Sequence, residues 1–250
     1  MDGRAYGQEN FTEPHDVVQL PSQGLYYKNK KKSVKVGYLT AVDENILANA
    51  SRNGGEGIIS QLVRAKLFEP DLKPEDLLDG DLETILIFLR NTSFGPEYKV
   101  KLVDPETGNY FDSIINLETL DFNKPDTDPD NDGLFTVTLP KTGAVVKLKP
   151  LTYGDTLDLD KMANNYPAGL IPPRVTWRLM KQIVSINGDT TTETISKFVN
   201  TMPIMDSKFI NNFIKDNEPR LNLDKEIIAP SGRKVLTRVT FGAEFFRPFF

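Results

Sequence analysis

The stretch Leu20-Pro21-Ser22-Gln23-Gly24, followed by Val34-Lys35-Val36-Gly37-Tyr38-Leu39-Thr40-Ala41-Val42-Asp43, decides the fold because its punctuation recurs. The second occurrence reads Leu139-Pro140-Lys141-Thr142-Gly143 and then Val146-Lys147-Leu148-Lys149-Pro150-Leu151-Thr152-Tyr153-Gly154-Asp155. Each reads as a strand, a Pro-Gly turn, a returning strand, and a helix start at Thr with an acid three residues on, a form of capping box. Asp81 opens an apolar helical pattern of Ile85, Phe88 and Leu89 followed by Arg90. Asp206 opens Ile210, Phe213 and Ile214 followed by Lys215, at the same offsets. A further turn follows each helix: Pro105 lies 24 residues after Asp81 and Pro230 lies 24 after Asp206. The expected turn residues are therefore Pro21, Gly24, Pro105, Gly108, Pro140, Gly143, Pro230 and Gly232, with proline fixing one dihedral and glycine supplying a positive one.

The pattern predicts an α+β protein of two related modules arising by internal duplication, each a β-hairpin, a helical block and a second β-hairpin. Residues 1–15, polar and glycine-containing, read as a flexible arm. Residues 16–120 form the first module. Residues 121–133, short, acidic and carrying Pro125 and Pro129, read as a linker, and residues 134–250 form the second module. Within that module a helix beginning at Pro172-Pro173 is expected to set Val175, Leu179, Ile183 and Ile186 on one face. The last ten residues hold five phenylalanines. Phe245 and Phe246 are expected to close the chain's own core, whereas Phe249 and Phe250, beyond the redirecting Pro248, are the candidates for insertion into a partner.

Composition narrows the chemistry. At 250 residues, 39% hydrophobic and 26% charged, the chain has the make-up of a globular protein with a substantial core. A net charge of -5 argues against a generic nucleic-acid binder. There is no cysteine and a single histidine, His15, placed in the expected arm. Thiolate metal sites, disulfides and His-based relays are thereby disfavoured, and neither a catalytic function nor a cofactor is expected. Lys28, Lys30, Lys31, Lys32 and Lys35 read as a solvated hairpin tip that discourages edge pairing. Asp128-Pro129-Asp130-Asn131-Asp132-Gly133 fits the front half of a calcium loop, but Leu139 stands where the bidentate glutamate belongs, so a solvated linker without metal is the reading. No signal peptide or membrane-length apolar run is evident, which points to synthesis and retention in a cytoplasm.

Val18 to Tyr27, Val34 to Leu47 and Gly80 to Arg90 resemble the baseplate proteins of T-even (T4-like) contractile-tailed phages, a family of hub subunits and hub assembly proteins. The resemblance is most specific over residues 16–120 and extends to Leu139–Asp155 and to Phe245-Phe246-Arg247-Pro248. It implies a structural subunit of the baseplate hub, a virion component assembled in the host cytoplasm. Its implied partners are other hub and tail proteins, with oligomerisation in a tail ring, and no small-molecule substrate, nucleic acid or membrane. The alternative it leaves is a non-virion chaperone or assembly factor for hub proteins. Relatives often carry Cys-x-x-Cys-Gly where this chain has Val103 to Gly108, and sometimes a second knuckle near Ala229 to Gly232; here turn residues alone must hold both shapes.

Overall fold

The computed structural model describes residues 13–50, 57–123 and 125–246. The architecture is mixed α+β, with seven α-helices among the described residues and four small antiparallel sheets. Strand β1 (His15–Gln19) pairs with β2 (Ser33–Gly37), Val18 opposite Val34, so alternate side chains turn inward. The Thr40 backbone N–H and hydroxyl both donate to the Asp43 carboxylate, at 2.7 and 2.8 Å, and start α1 (Ala41–Ala50). Helix α2 (Ile58–Lys66) buries Leu62 and Val63 and ends where Leu67 bridges back to Val36. A 3-10 turn over Pro74–Asp76 leads into α3 (Asp79–Phe94) and then the hairpin β3 (Glu97–Val103) and β4 (Tyr110–Asn116).

The second half repeats much of this order. Strands β5 (Phe135–Thr138) and β6 (Val145–Leu148) form a hairpin, and Thr152 with Asp155 completes a capping box at the start of α4 (Tyr153–Asn164). Then come α5 (Arg174–Gln182), β7 (Ile183–Ile186), α6 (Thr192–Thr201) and α7 (Ile204–Asn217), before the hairpin β8 (Asp224–Ile228) and β9 (Lys234–Arg238). The halves differ in β7, which makes the second half's sheet three-stranded where the first half pairs only β1 with β2, and in α6, which stands where the first half has only the 3-10 turn.

Four sequence expectations need correcting. His15 is not in an arm: it pairs with Gly37 in β1, because β2 extends far enough to offer it a partner. Residues 1–12 lie outside the described part. Ile183 and Ile186 do not extend the helix from Pro173; the β-branched Ile183-Val184 run leaves α5 to pair with the open edge of β6. Residues 121–133 are no free linker. Phe122 bridges Leu221, the Thr127 N–H donates to the Asn217 side chain at 2.8 Å, and the Lys30 ammonium donates to the Asn131 carbonyl at 2.7 Å. Nor do residues 134–250 form one module. The second core draws on residues 135 to 214, whereas Leu221, Leu223, Val239, Phe245 and Phe246 are buried with Val18, Leu62, Ile85 and Leu117 in the first. Burying a phenylalanine is worth roughly 1.5–3 kcal/mol, so the two nearly water-free rings bind the chain's last described turn firmly to the first core.

Candidate functional site

Each Leu-Pro-x-x-Gly turn is held by one buried carboxylate from a distant helix. Asp81, in the first turn of α3, accepts the Ser22 N–H at 3.0 Å and the Tyr27 hydroxyl at 2.5 Å. That hydroxyl in turn accepts the Leu78 N–H at 3.0 Å. Asp206, in the first turn of α7, accepts the Lys141 and Thr142 N–H groups at 2.7 and 3.0 Å. Both carboxylates are fully buried. Burial pushes the Asp81 carboxyl up, while the hydrogen bonds from Ser22 and Tyr27 act the other way. Gly24, with φ 73°, could not carry a side chain, since a Cβ would lie 2.5 Å from the Lys30 carbonyl. Gly143, Gly108 and Gly232 take the same left-handed conformation, and their N–H groups close turns onto Leu139, Asp104 and Ala229.

The two terminal hairpins meet at their turns. Asp104, at the end of β3, accepts the Ser231 N–H at 3.0 Å and its hydroxyl at 2.7 Å, and Arg233 pairs with Glu106 at 3.0 Å. Burial raises the Asp104 carboxyl, but the hydrogen bonds from Ser231, Glu106 and Thr107 outweigh it and hold the group below the usual range. The knuckle positions at Val103 to Gly108 and Ala229 to Gly232 are thus brought together and joined by a carboxylate and a hydroxyl. From the hairpins the chain crosses over: the segment after β4 reaches the end of α7, and the segment after β9 returns to the end of α3.

The joint between the cores is acidic. Gly80 lies so close to Pro219 that a Cβ would meet its carbonyl oxygen at 2.2 Å. Around this contact stand Asp79, Glu83 and Glu218. Burial, reinforced by Asp79, pushes Glu83 up to about 8 and Glu218 up to about 7, partly offset by Arg220 near both, Arg238 near Glu83 and Arg178 near Glu218. Asp79 is raised by burial too, against a hydrogen bond from the Thr156 hydroxyl. No three metal-ligating side chains cluster among the described residues, and Asp130 instead accepts the Asp132 and Leu134 N–H groups within its own turn. Of the lysine run, Lys31 is tied to Glu69 and Asp71 and Lys30 to two carbonyls.

A family model described as T4 bacteriophage base plate protein matches residues 22–246 of the chain. The chain belongs to that family. No match was found among curated proteins or among solved structures. Membership in the base plate family carries a structural role in a bacteriophage tail, in association with other baseplate proteins. The matched span takes in the first anchored turn from Ser22 onward, the whole of the second, both terminal hairpins and Phe246, and among its described residues no helix is long and apolar enough to cross a membrane. Phe249 and Phe250 lie outside the described residues. Sequence reading singled out the eight turn residues but missed Tyr27, Asp104 and Ser231, and it took Asp81 and Asp206 only as helix openers. The one signal that pointed toward the last two was their equal spacing to the turns that follow.

Proposed function

We propose that this base plate protein is a hub subunit, built by internal duplication, that joins other hub and tail proteins and takes its place in the virion after assembly in the host cytoplasm. The observation that carries this reading is the paired anchor. Two turns of the same composition are each fixed by an aspartate from the first turn of a later helix, in halves of similar element order. A chain carrying two related units offers two related surfaces, which suits a subunit that bridges repeated neighbours in a ring. Phe249 and Phe250, beyond the buried Phe245 and Phe246, are offered to a neighbouring subunit. Deleting them is expected to preserve thermal melting and weaken co-purification with hub proteins.

The experiment is mass spectrometry of purified virions. A hub subunit is recovered at a copy number matching tail symmetry. Its absence from virions that nevertheless require it for assembly would replace this reading with that of an assembly factor.

A further inference from the structure

Two Asn-Gly pairs stand in the chain, Asn53-Gly54 and Asn187-Gly188. Such a pair carries its own chemistry. Glycine has no side chain to shield its backbone nitrogen, so once that N–H yields its proton to base, the nitrogen attacks the side-chain carbonyl carbon of the asparagine before it. The new C–N bond closes a five-membered succinimide ring, and the side-chain nitrogen leaves as ammonia. Water then opens the ring at either of its carbonyls, giving aspartate or isoaspartate. Attack needs nitrogen and carbon aligned at about 3–3.5 Å, so conformation sets the rate.

Asn53 lies outside the described residues. Asn187 is described, and its conformation is fixed from both sides. Asn187 and Gly188 take φ of 49° and 89°, the left-handed pair of a tight hairpin turn, and Ile186 and Asp189 close that turn by exchanging two N–H···O bonds of 2.9 Å. On its other side the Asn187 N–H donates to the Val145 carbonyl at 2.7 Å, and its side-chain oxygen accepts the Val145 N–H at 2.9 Å. One residue thereby supplies the donor and the acceptor that carry the β6–β7 ladder a step past the Val146–Ile186 pair. Both Asn187 and Gly188 are exposed, so water and base reach them. The carbonyl that Gly188 must attack is the one held on β6.

We infer that Asn187 is a modification site gated by the fold: its amide persists while it is paired with Val145, and it converts to aspartate and isoaspartate when β7 leaves β6. The product does not simply re-pair. Isoaspartate adds a main-chain carbon between residues 187 and 188, which the two-residue turn has no room for. Ile186, buried in the second core, then loses the turn that ends its strand.

The test holds the full chain in mildly alkaline buffer, with and without denaturing urea, and counts aspartate and isoaspartate at 187 and 53 by peptide mapping with mass spectrometry. In urea the two asparagines are expected to convert at similar rates. Without urea Asn187 is expected to be at least about tenfold slower than in urea, since only locally opened molecules react. Low urea, leaving the fluorescence of the single tryptophan, Trp177, native, is expected to raise the rate in step with hydrogen exchange at the Asn187 N–H. Val145→Pro, which removes the N–H that the Asn187 side chain accepts, is expected to bring conversion close to the urea rate in a protein that still melts cooperatively; should that variant not fold, the exchange comparison decides. Equal rates with and without urea overturn the inference, as does fast conversion while the Asn187 N–H stays protected, or a folded Val145→Pro as slow as its parent. An Asn187 that lags far behind Asn53 in urea also overturns it, because local sequence and not pairing then sets the rate.

Discussion

Asp81 and Asp206 each lie out of contact with water and accept hydrogen bonds from a turn 59 to 65 residues earlier in the chain. A buried carboxylate is tolerable only when donors replace its lost hydration, and here backbone N–H groups do so. The dependence is mutual, because those N–H groups have no other partner in their turns. Asp206→Ala would orphan two donors, at about 1–3 kcal/mol each. Urea denaturation is expected to show a loss of that order, and Asp206→Asn, which keeps one acceptor oxygen, a smaller one. Local pattern marked both aspartates as helix openers and gave no hint of the turns they hold, since hydrophobic periodicity describes neighbours in sequence only. Tyr27 went unnoticed for the same reason: its hydroxyl meets Asp81 54 residues away.

Hairpins and helix starts were legible because their determinants are local: proline and glycine in the turns, Thr-x-x-Asp at α1 and α4. The limit shows at β7, where helical spacing through Ile183 and Ile186 was overridden by an unpaired edge of β6 that no window of sequence around β7 contains. The contact between the terminal hairpins is of the same kind, linking Asp104 to Ser231 across 127 residues. If that contact is what fixes the hairpins to each other, its two halves are coupled. Asp104→Ala and Ser231→Ala should each lower the melting temperature, and the double variant should be hardly worse than Asp104→Ala alone. Strict additivity would show that each residue serves only its own turn. Because hydrogen bonds hold the Asp104 carboxyl below its usual range, this contribution is present above the unfolded value near 4 and is lost as pH falls through the folded one.

For the whole molecule the joint between the cores sets a second, opposite pH dependence. Glu83 and Glu218 hold protons in the folded protein up to about 8 and 7, whereas the unfolded chain releases them near 4.3. Their contribution is full below that lower value and is lost as pH rises through 7 and 8. Thermal melting is expected to fall by several degrees between pH 5 and pH 8.5, and Glu218→Gln to flatten the fall and raise the melting temperature at the alkaline end. Gly80→Ala, driving a methyl into the Pro219 carbonyl, is expected to destabilise the protein at every pH in that range. At this scale the division into 16–120 and 134–250 read from the sequence failed, because Leu221 and Phe245 are as apolar as any second-core residue and nothing local says which core receives them. Their destination governs the order of events during translation. A ribosome that has made residues 1–220 has produced everything the second core needs, yet the first core still lacks Leu221, Leu223, Val239, Phe245 and Phe246. The half synthesised first is therefore the half completed last, and a released chain truncated after residue 220 should protect residues 135–214 from protease while residues 16–120 are still cut.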